Sequence, residues 1–136
     1  MEPNIWGPSA WTFLHTIALQ YPELPTDDDK KQYYIFFNSL KDVLPCPNCR
    51  IHYSEHLDKF PIQLESRKEL SEWLIDIHNE VNTMTGKRKH SYEEVKKQYD
   101  KLYSKKQTND YKNSSFLIIL VVIIIIGYYY MKNYGK

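Results

Sequence analysis

LPCPNCRIHY, residues 44–53, holds the only two cysteines in the 136-residue chain, Cys46 and Cys49, bracketed by Pro45 and Pro47. His52 and His56 follow a few positions on. Pro47 suits the first turn of a helix, where its missing N–H has no partner to lose. The positive end of the helix dipole then favours a thiolate, the form of cysteine that attacks disulfides and flavins. A long-range disulfide needs a third cysteine, and none exists. A bridge within C-x-x-C closes too small a loop to stabilise a fold much. Chemistry is therefore the better reason for the pair.

The spacing C-x2-C-x2-H-x3-H also suggests zinc. On one continuous helix, however, Cys46 and His56 lie about 15 Å apart along the axis. Zinc ligands sit within about 2.3 Å of the metal, so four cannot converge from such a helix. A zinc site would have to combine the two cysteines with distant histidines such as His15 or His78. Thioredoxin-type folds place a redox C-x-x-C after a strand, and no convincing strand precedes Cys46. The pair thus reads as redox chemistry on a helical scaffold.

Outward from this stretch the chain keeps a helical period. Trp11, Leu14, His15 and Ala18 recur at helical spacing between Pro8 and Tyr21, where a pair of prolines ends the segment. Thr26 followed by Asp27, Asp28 and Asp29 starts a second helix bearing Tyr33, Phe36, Phe37 and Leu40. A third runs from the Pro-Cys-Pro to about Phe60. Ser66 with Glu69 caps a fourth, whose stripe is Leu70, Trp73, Leu74, Ile77, His78 and Val81, closed by Gly86. Ser91 with Glu94 opens a fifth, carrying Tyr92, Val95, Tyr99, Leu102 and Tyr103.

Composition narrows the function. The net charge of +1 gives no reason to expect nucleic-acid binding. Aromatics reach 15%, with twelve tyrosines, enough to build a core or to line a flat ligand's pocket. The N-terminus lacks the charged and apolar regions of a signal peptide. Phe116 to Ile126 is unbroken apolar sequence, followed by Gly127 and Tyr128 to Tyr130. As a helix, Phe116 to Met131 reaches about 24 Å, which tilt, a tyrosine belt and snorkelling by Lys132 extend toward a bilayer's core. Lys96, Lys97, Lys101, Lys105, Lys106 and Lys112 precede this run, and Lys132 and Lys136 follow. The positive-inside bias then puts the N-terminal domain on the cytoplasmic side of the membrane. Expected boundaries are a catalytic domain over 1–104, a polar linker over 105–114 and a transmembrane anchor over 115–131.

Three blocks in register, WGPSAWTFLHT (6–16), PCPNCRIHY (45–53) and WLIDIHNEVNTMTGK (73–87), resemble the Erv/ALR flavin-linked sulfhydryl oxidases. The W-G-P opening is similar to versions carried by large cytoplasmic DNA viruses, and Pro8 stands where many members have arginine. The resemblance covers residues 5 to 103. It implies an all-α fold, a compact bundle of about five helices holding FAD, with the C-terminal transmembrane helix added. The absence of G-x-G-x-x-G agrees, since the four glycines, Gly7, Gly86, Gly127 and Gly135, cannot form it.

By the same resemblance Cys46 is the outer sulfur, attacked by substrate, and Cys49 the inner one, which passes electrons to the flavin. Trp11 and His15 would line the cofactor from the first helix, and His52 from the third. His78, Asn79 and Asn82 would do so from the fourth, Lys87 would face phosphate, and Tyr99 with Tyr103 would stack near the adenine. The activity implied is FAD-dependent oxidation of protein thiols to disulfides, with electrons passed to molecular oxygen to give hydrogen peroxide. Relatives often carry a second, shuttling cysteine pair and a staple between the fourth and fifth helices. This chain has neither, and the staple positions read Ile75 and Tyr92. A thioredoxin-like relay protein is the partner this implies, and the viral likeness points to a virus-factory or virion membrane. Dimerisation is common in the family, although no interface is specified here. Two other classes stay open: a membrane-tethered adaptor without catalysis, and a zinc-binding scaffold.

Overall fold

The computed structural model describes residues 1–134, with the side chains of 105–117 and Tyr134 outside the description. Five helices follow in order: α1 (Pro3–Leu19), α2 (Asp27–Val43), α3 (Pro47–Lys59), α4 (Arg67–Met84) and α5 (Tyr92–Tyr134). The chain divides into two compact units, Met1–Val95 and Lys96–Lys136.

In the first unit the expected caps form. Thr26 Oγ1 accepts from the Asp29 N–H at 3.2 Å, and the Asp29 carboxylate accepts from the Thr26 N–H at 2.9 Å. The Thr26 hydroxyl also donates to the Asp29 carboxylate, at 2.6 Å, and that bond foremost, with the one from the Thr26 N–H, favours ionised Asp29 and holds its pKa below the ordinary value. Ser91 and Glu94 close the same reciprocal box, at 3.3 and 2.9 Å. Ser66 makes only its own half, accepting from the Glu69 N–H at 3.2 Å. The first helix differs from expectation, beginning at Pro3 rather than near Pro8 and carrying Pro8 inside it. One proline so early removes a single backbone bond, and the turns on either side carry the helix past it.

Helix α1 packs on α4, and α2 on α3, which also touches α4. Their apolar faces meet in a core of Leu14, Ala18, Tyr21, Phe37, Tyr53, Leu70, Trp73, Leu74 and Ile77. The buried polar atoms of these aromatics find backbone partners between elements. Tyr53 Oη donates to the Phe37 carbonyl at 2.9 Å, Trp73 Nε1 to that of Phe60 at 2.8 Å, and Tyr21 Oη to that of Leu64 at 2.9 Å. Burial alone pushes the Tyr53 phenol above its usual range. Phe37 is fully buried, with its ring edge-on to Phe36 and Trp73 at 5.0 and 5.2 Å. Phe37→Ala is expected to cost about 3–5 kcal/mol, read as a lower urea midpoint at unchanged m-value.

Helix α5 starts in the first unit and continues through the second, taking in the segment expected as a polar linker. The side chains of that segment, 105–114, lie outside the described residues, as does the start of the expected anchor at 115–117. Every described residue from Ile118 to Met131 is exposed. Among the described residues no helix is long and apolar enough to cross a membrane, so the expected transmembrane helix is not supported.

Candidate functional site

Cys46 is the N-cap of α3 and Pro47 its first residue, as the opening stretch predicts. The two cysteines are joined as a disulfide, with Cα atoms 5.1 Å apart. Cys46 Sγ accepts the Cys49 N–H at 3.2 Å, so one of the helix's first amide hydrogens points at that sulfur. When the pair is reduced, that hydrogen bond and the helix dipole favour the thiolate of Cys46. The turn is braced from behind, because the guanidinium of Arg50 donates to the Leu44 carbonyl at 3.0 Å, across the pair.

Cys49 lies four residues before Tyr53 and seven before His56, so all three share one face of α3. Tyr53 and His56 are buried. Cys46 and Cys49 are both half-buried, while Pro47 and Ile51 lie on the exposed opposite side. His52 sits between, half-buried.

The second part of the site forms where α1 meets α4. Trp11 and His78 stack in parallel, with ring centroids 3.9 Å apart and planes within 5°. His15 Nε2 lies 3.0 Å from His78 Nδ1, and the two rings share one hydrogen. Burial foremost, then the neighbouring His78 and His90, drives the His15 pKa down to about 3. Burial, His90 and Lys87 bring His78 down to about 4. Both imidazoles are therefore neutral at pH 7. With one hydrogen between them, the outer nitrogen of one ring carries a hydrogen and that of the other a lone pair, whichever tautomer holds.

Of the other expected cofactor residues, Asn82 is buried on α4 and Lys87 is exposed on the loop after it. Asn79 spends its amide on the backbone of His90, through two 2.8 Å bonds. Tyr99 belongs to α5 in the second unit and is buried, while Tyr103 is exposed. Sequence reasoning missed Arg50 and His90. Arg50 directly follows the cysteine pair, a signal that was there to use. His90 has none, since it reaches α4 from a loop with no periodicity. His56, considered only as a zinc ligand, is 8% exposed, its Nε2 has no partner among the described residues, and burial lowers its pKa. Among the described residues no group of three or more His, Cys, Asp or Glu side chains is placed to hold a metal ion, so the tempting spacing around Cys46 closes no such site.

The set suits a flavin nucleotide. An aromatic plane, neutral imidazoles offering a donor and an acceptor, and a loop with Lys87, Arg88 and Lys89 match a ring system bearing a pyrophosphate. The orphaned Trp6 Nε1, buried near the start of α1, is a further donor without a protein acceptor among the described residues.

Residues 8–100 match the Erv1 / Alr family. The chain is 47% identical over 114 residues to a probable FAD-linked sulfhydryl oxidase of Acanthamoeba polyphaga mimivirus, covering 82% of this chain and 80% of that protein. It is 38% identical to the FAD-linked sulfhydryl oxidase ERV1 of Arabidopsis thaliana, covering 80% of this chain and 57% of that longer one. The crystal structure of the FAD-binding domain of Erv1 from Saccharomyces cerevisiae superposes with a TM-score of 0.65 at 35% identity, covering 67% of this chain and 87% of that one.

Proposed function

The chain belongs to the Erv1 / Alr family, and from that premise we propose how it works as an FAD-linked sulfhydryl oxidase, with Cys46–Cys49 as the reactive disulfide. The observation that carries this reading is the placement of that half-buried disulfide on the first turn of α3, and Cys49 is proposed as the inner sulfur, on the helix face it shares with buried Tyr53 and His56.

A substrate thiolate attacks Cys46 Sγ, the bond to Cys49 breaks, and Cys49 leaves as a thiolate. A second substrate thiolate then attacks the substrate sulfur of the mixed disulfide. Cys46 departs as a thiolate held by the Cys49 N–H, and the substrate leaves oxidised. The chain has gained two electrons as a dithiol, and the protons released by the substrate thiols go to solvent or to the new thiolates. Trp11, His15, His78, Asn82 and Lys87 would hold FAD, with His52 beside the pair. Bound FAD supplies the two-electron acceptor, and its reoxidation by molecular oxygen gives hydrogen peroxide. The neutral state of His15 and His78 keeps both rings as hydrogen-bonding groups rather than fixed charges, while Lys87 supplies positive charge for phosphate.

With no second cysteine pair to shuttle electrons, protein thiols reach Cys46 directly or through a separate thioredoxin-like relay protein. A homodimer is the proposed assembly, and exposed Ile5 and Phe13 on α1 and Ile35 on α2 are apolar surface available to it. The run 115–131 is proposed as a membrane anchor with the catalytic unit on the cytoplasmic side. Continuous apolar exposure from Ile118 to Met131 and the upstream lysines support this. The viral likeness makes a virus-factory or virion membrane the proposed setting.

The test supplies the full-length, FAD-loaded chain with a reduced protein dithiol under air. One oxygen consumed and one peroxide formed per disulfide is expected. Stable flavin with no thiol loss would overturn the assignment of Cys46–Cys49.

A further inference from the structure

Asn79 follows His78 on α4, and both halves of its amide face one residue. Nδ2 donates to the His90 carbonyl at 2.8 Å, and Oδ1 accepts from the His90 N–H at 2.8 Å. The side chain thereby pairs with the N–H and the carbonyl of a single residue, as residues on facing strands do. The segment so held, 85–91, leaves α4 through Gly86, whose φ of 68° lies in the left-handed region that favours glycine. The Lys87 N–H donates to the Asn82 carbonyl at 2.7 Å, fixing the start of the loop. At the far end, the Ser91–Glu94 box and an exposed Arg88–Glu94 pair at 2.8 Å lead into α5. The only two cysteines are spent on each other, so no disulfide ties this loop back to α4. Besides the looser Lys89–Glu80 pair at 3.9 Å, the two-bond clamp is what holds its far half to α4.

We propose that Asn79 is a positioning residue, whose amide holds loop 85–91, with Lys87 and His90, beside the Trp11–His15–His78 cluster. FAD affinity then depends on Asn79 through the loop and not through direct contact. The proposal rests on reading that cluster as the flavin-nucleotide site. Sequence alone points the other way, because Asn79 follows His78 and looks like a ligand for the cofactor. The structure finds its main donor and acceptor already committed.

The test is a double-mutant cycle in the full-length chain, using Asn79→Ala, Lys87→Ala and the double variant. FAD binding to the apoprotein is read by flavin fluorescence, and amide exchange at His90 by mass spectrometry or NMR. Asn79→Ala is expected to speed His90 exchange and to weaken FAD binding by about tenfold. The double variant should bind FAD no worse than the weaker single one, because both changes remove the same loop contact. Additive losses with unchanged His90 exchange would mean direct contact and overturn the proposal. Faster exchange with unaltered FAD affinity would overturn it too. If Asn79→Ala does not fold, Asn79→Asp keeps the acceptor and loses the donor, and the same readings apply. Trp11→Ala separates the two levels. If it leaves FAD affinity intact, the site reading fails, whereas if it loses FAD while the Asn79 and Lys87 effects add, only the clamp fails.

Discussion

Serine at Cys46 or at Cys49 lowers thiol-dependent oxygen consumption by about 10³-fold or more, while flavin stays bound and helical content is unchanged. The size follows from the chemistry, since either change removes the disulfide that substrate must attack, and no third cysteine can take its place. The fold should tolerate both substitutions, because a bridge three residues apart closes too small a loop to contribute much stability. The core beneath it is held instead by Tyr53, Phe37 and Trp73. Dithiothreitol-driven oxygen uptake, visible flavin absorbance and circular dichroism together check this. Activity within a few-fold of the parent in either variant would remove the pair from the reaction.

The second large effect is acid sensitivity. Between pH 7 and 5 the FAD-free chain should lose on the order of 3 kcal/mol of unfolding free energy, mostly through His15 and His78. Their pKa values in the fold, about 3 and about 4, lie below the ordinary 6.5, chiefly because burial penalises the charged ring. The unfolded chain therefore binds protons that the folded chain refuses. Stability is fully present above about pH 6.5 and falls as pH drops toward the folded values. His78 is the less buried of the two and contributes the smaller share. This window lies above the range where the lowered carboxylates of Asp29 and Glu94 take up protons. Denaturant unfolding at the two pH values measures the loss, and His15→Gln should reduce it by about half. Equal stability at pH 7 and 5 would contradict the buried neutral pair.

Most of the fold was legible because its signals are local. Thr26, Ser66 and Ser91 each mark a helix start through a side chain that reaches only three residues ahead, and all three helices begin there. The start of α1 was misplaced because Pro8 looked like a first-turn residue, yet a helix survives one missing N–H. Residues 105–114 looked like a linker from their polarity. That α5 runs through that stretch had its own signal, the absence of glycine and proline between Ser91 and Gly127. At the site, Cys46 and Cys49 were singled out by spacing and are joined in the structure, and Trp11, His15 and His78, expected from the family pattern, are brought together in it. The stack of Trp11 on His78 was not readable, because it joins residues 67 positions apart in sequence. Neither was the clamp of Asn79 on His90, which depends on the path of a loop.

One measurement tests the central claim most directly: anaerobic addition of dithiothreitol to the full-length, FAD-loaded chain, followed by visible absorbance, for the parent and for Cys49→Ser. The flavin band of the parent should bleach and return with air, and that of Cys49→Ser should persist on the same timescale. Bleaching of both at the same rate would mean that electrons reach the flavin without the pair on α3. A parent band that never bleaches would mean that the pair and the flavin are not coupled at all.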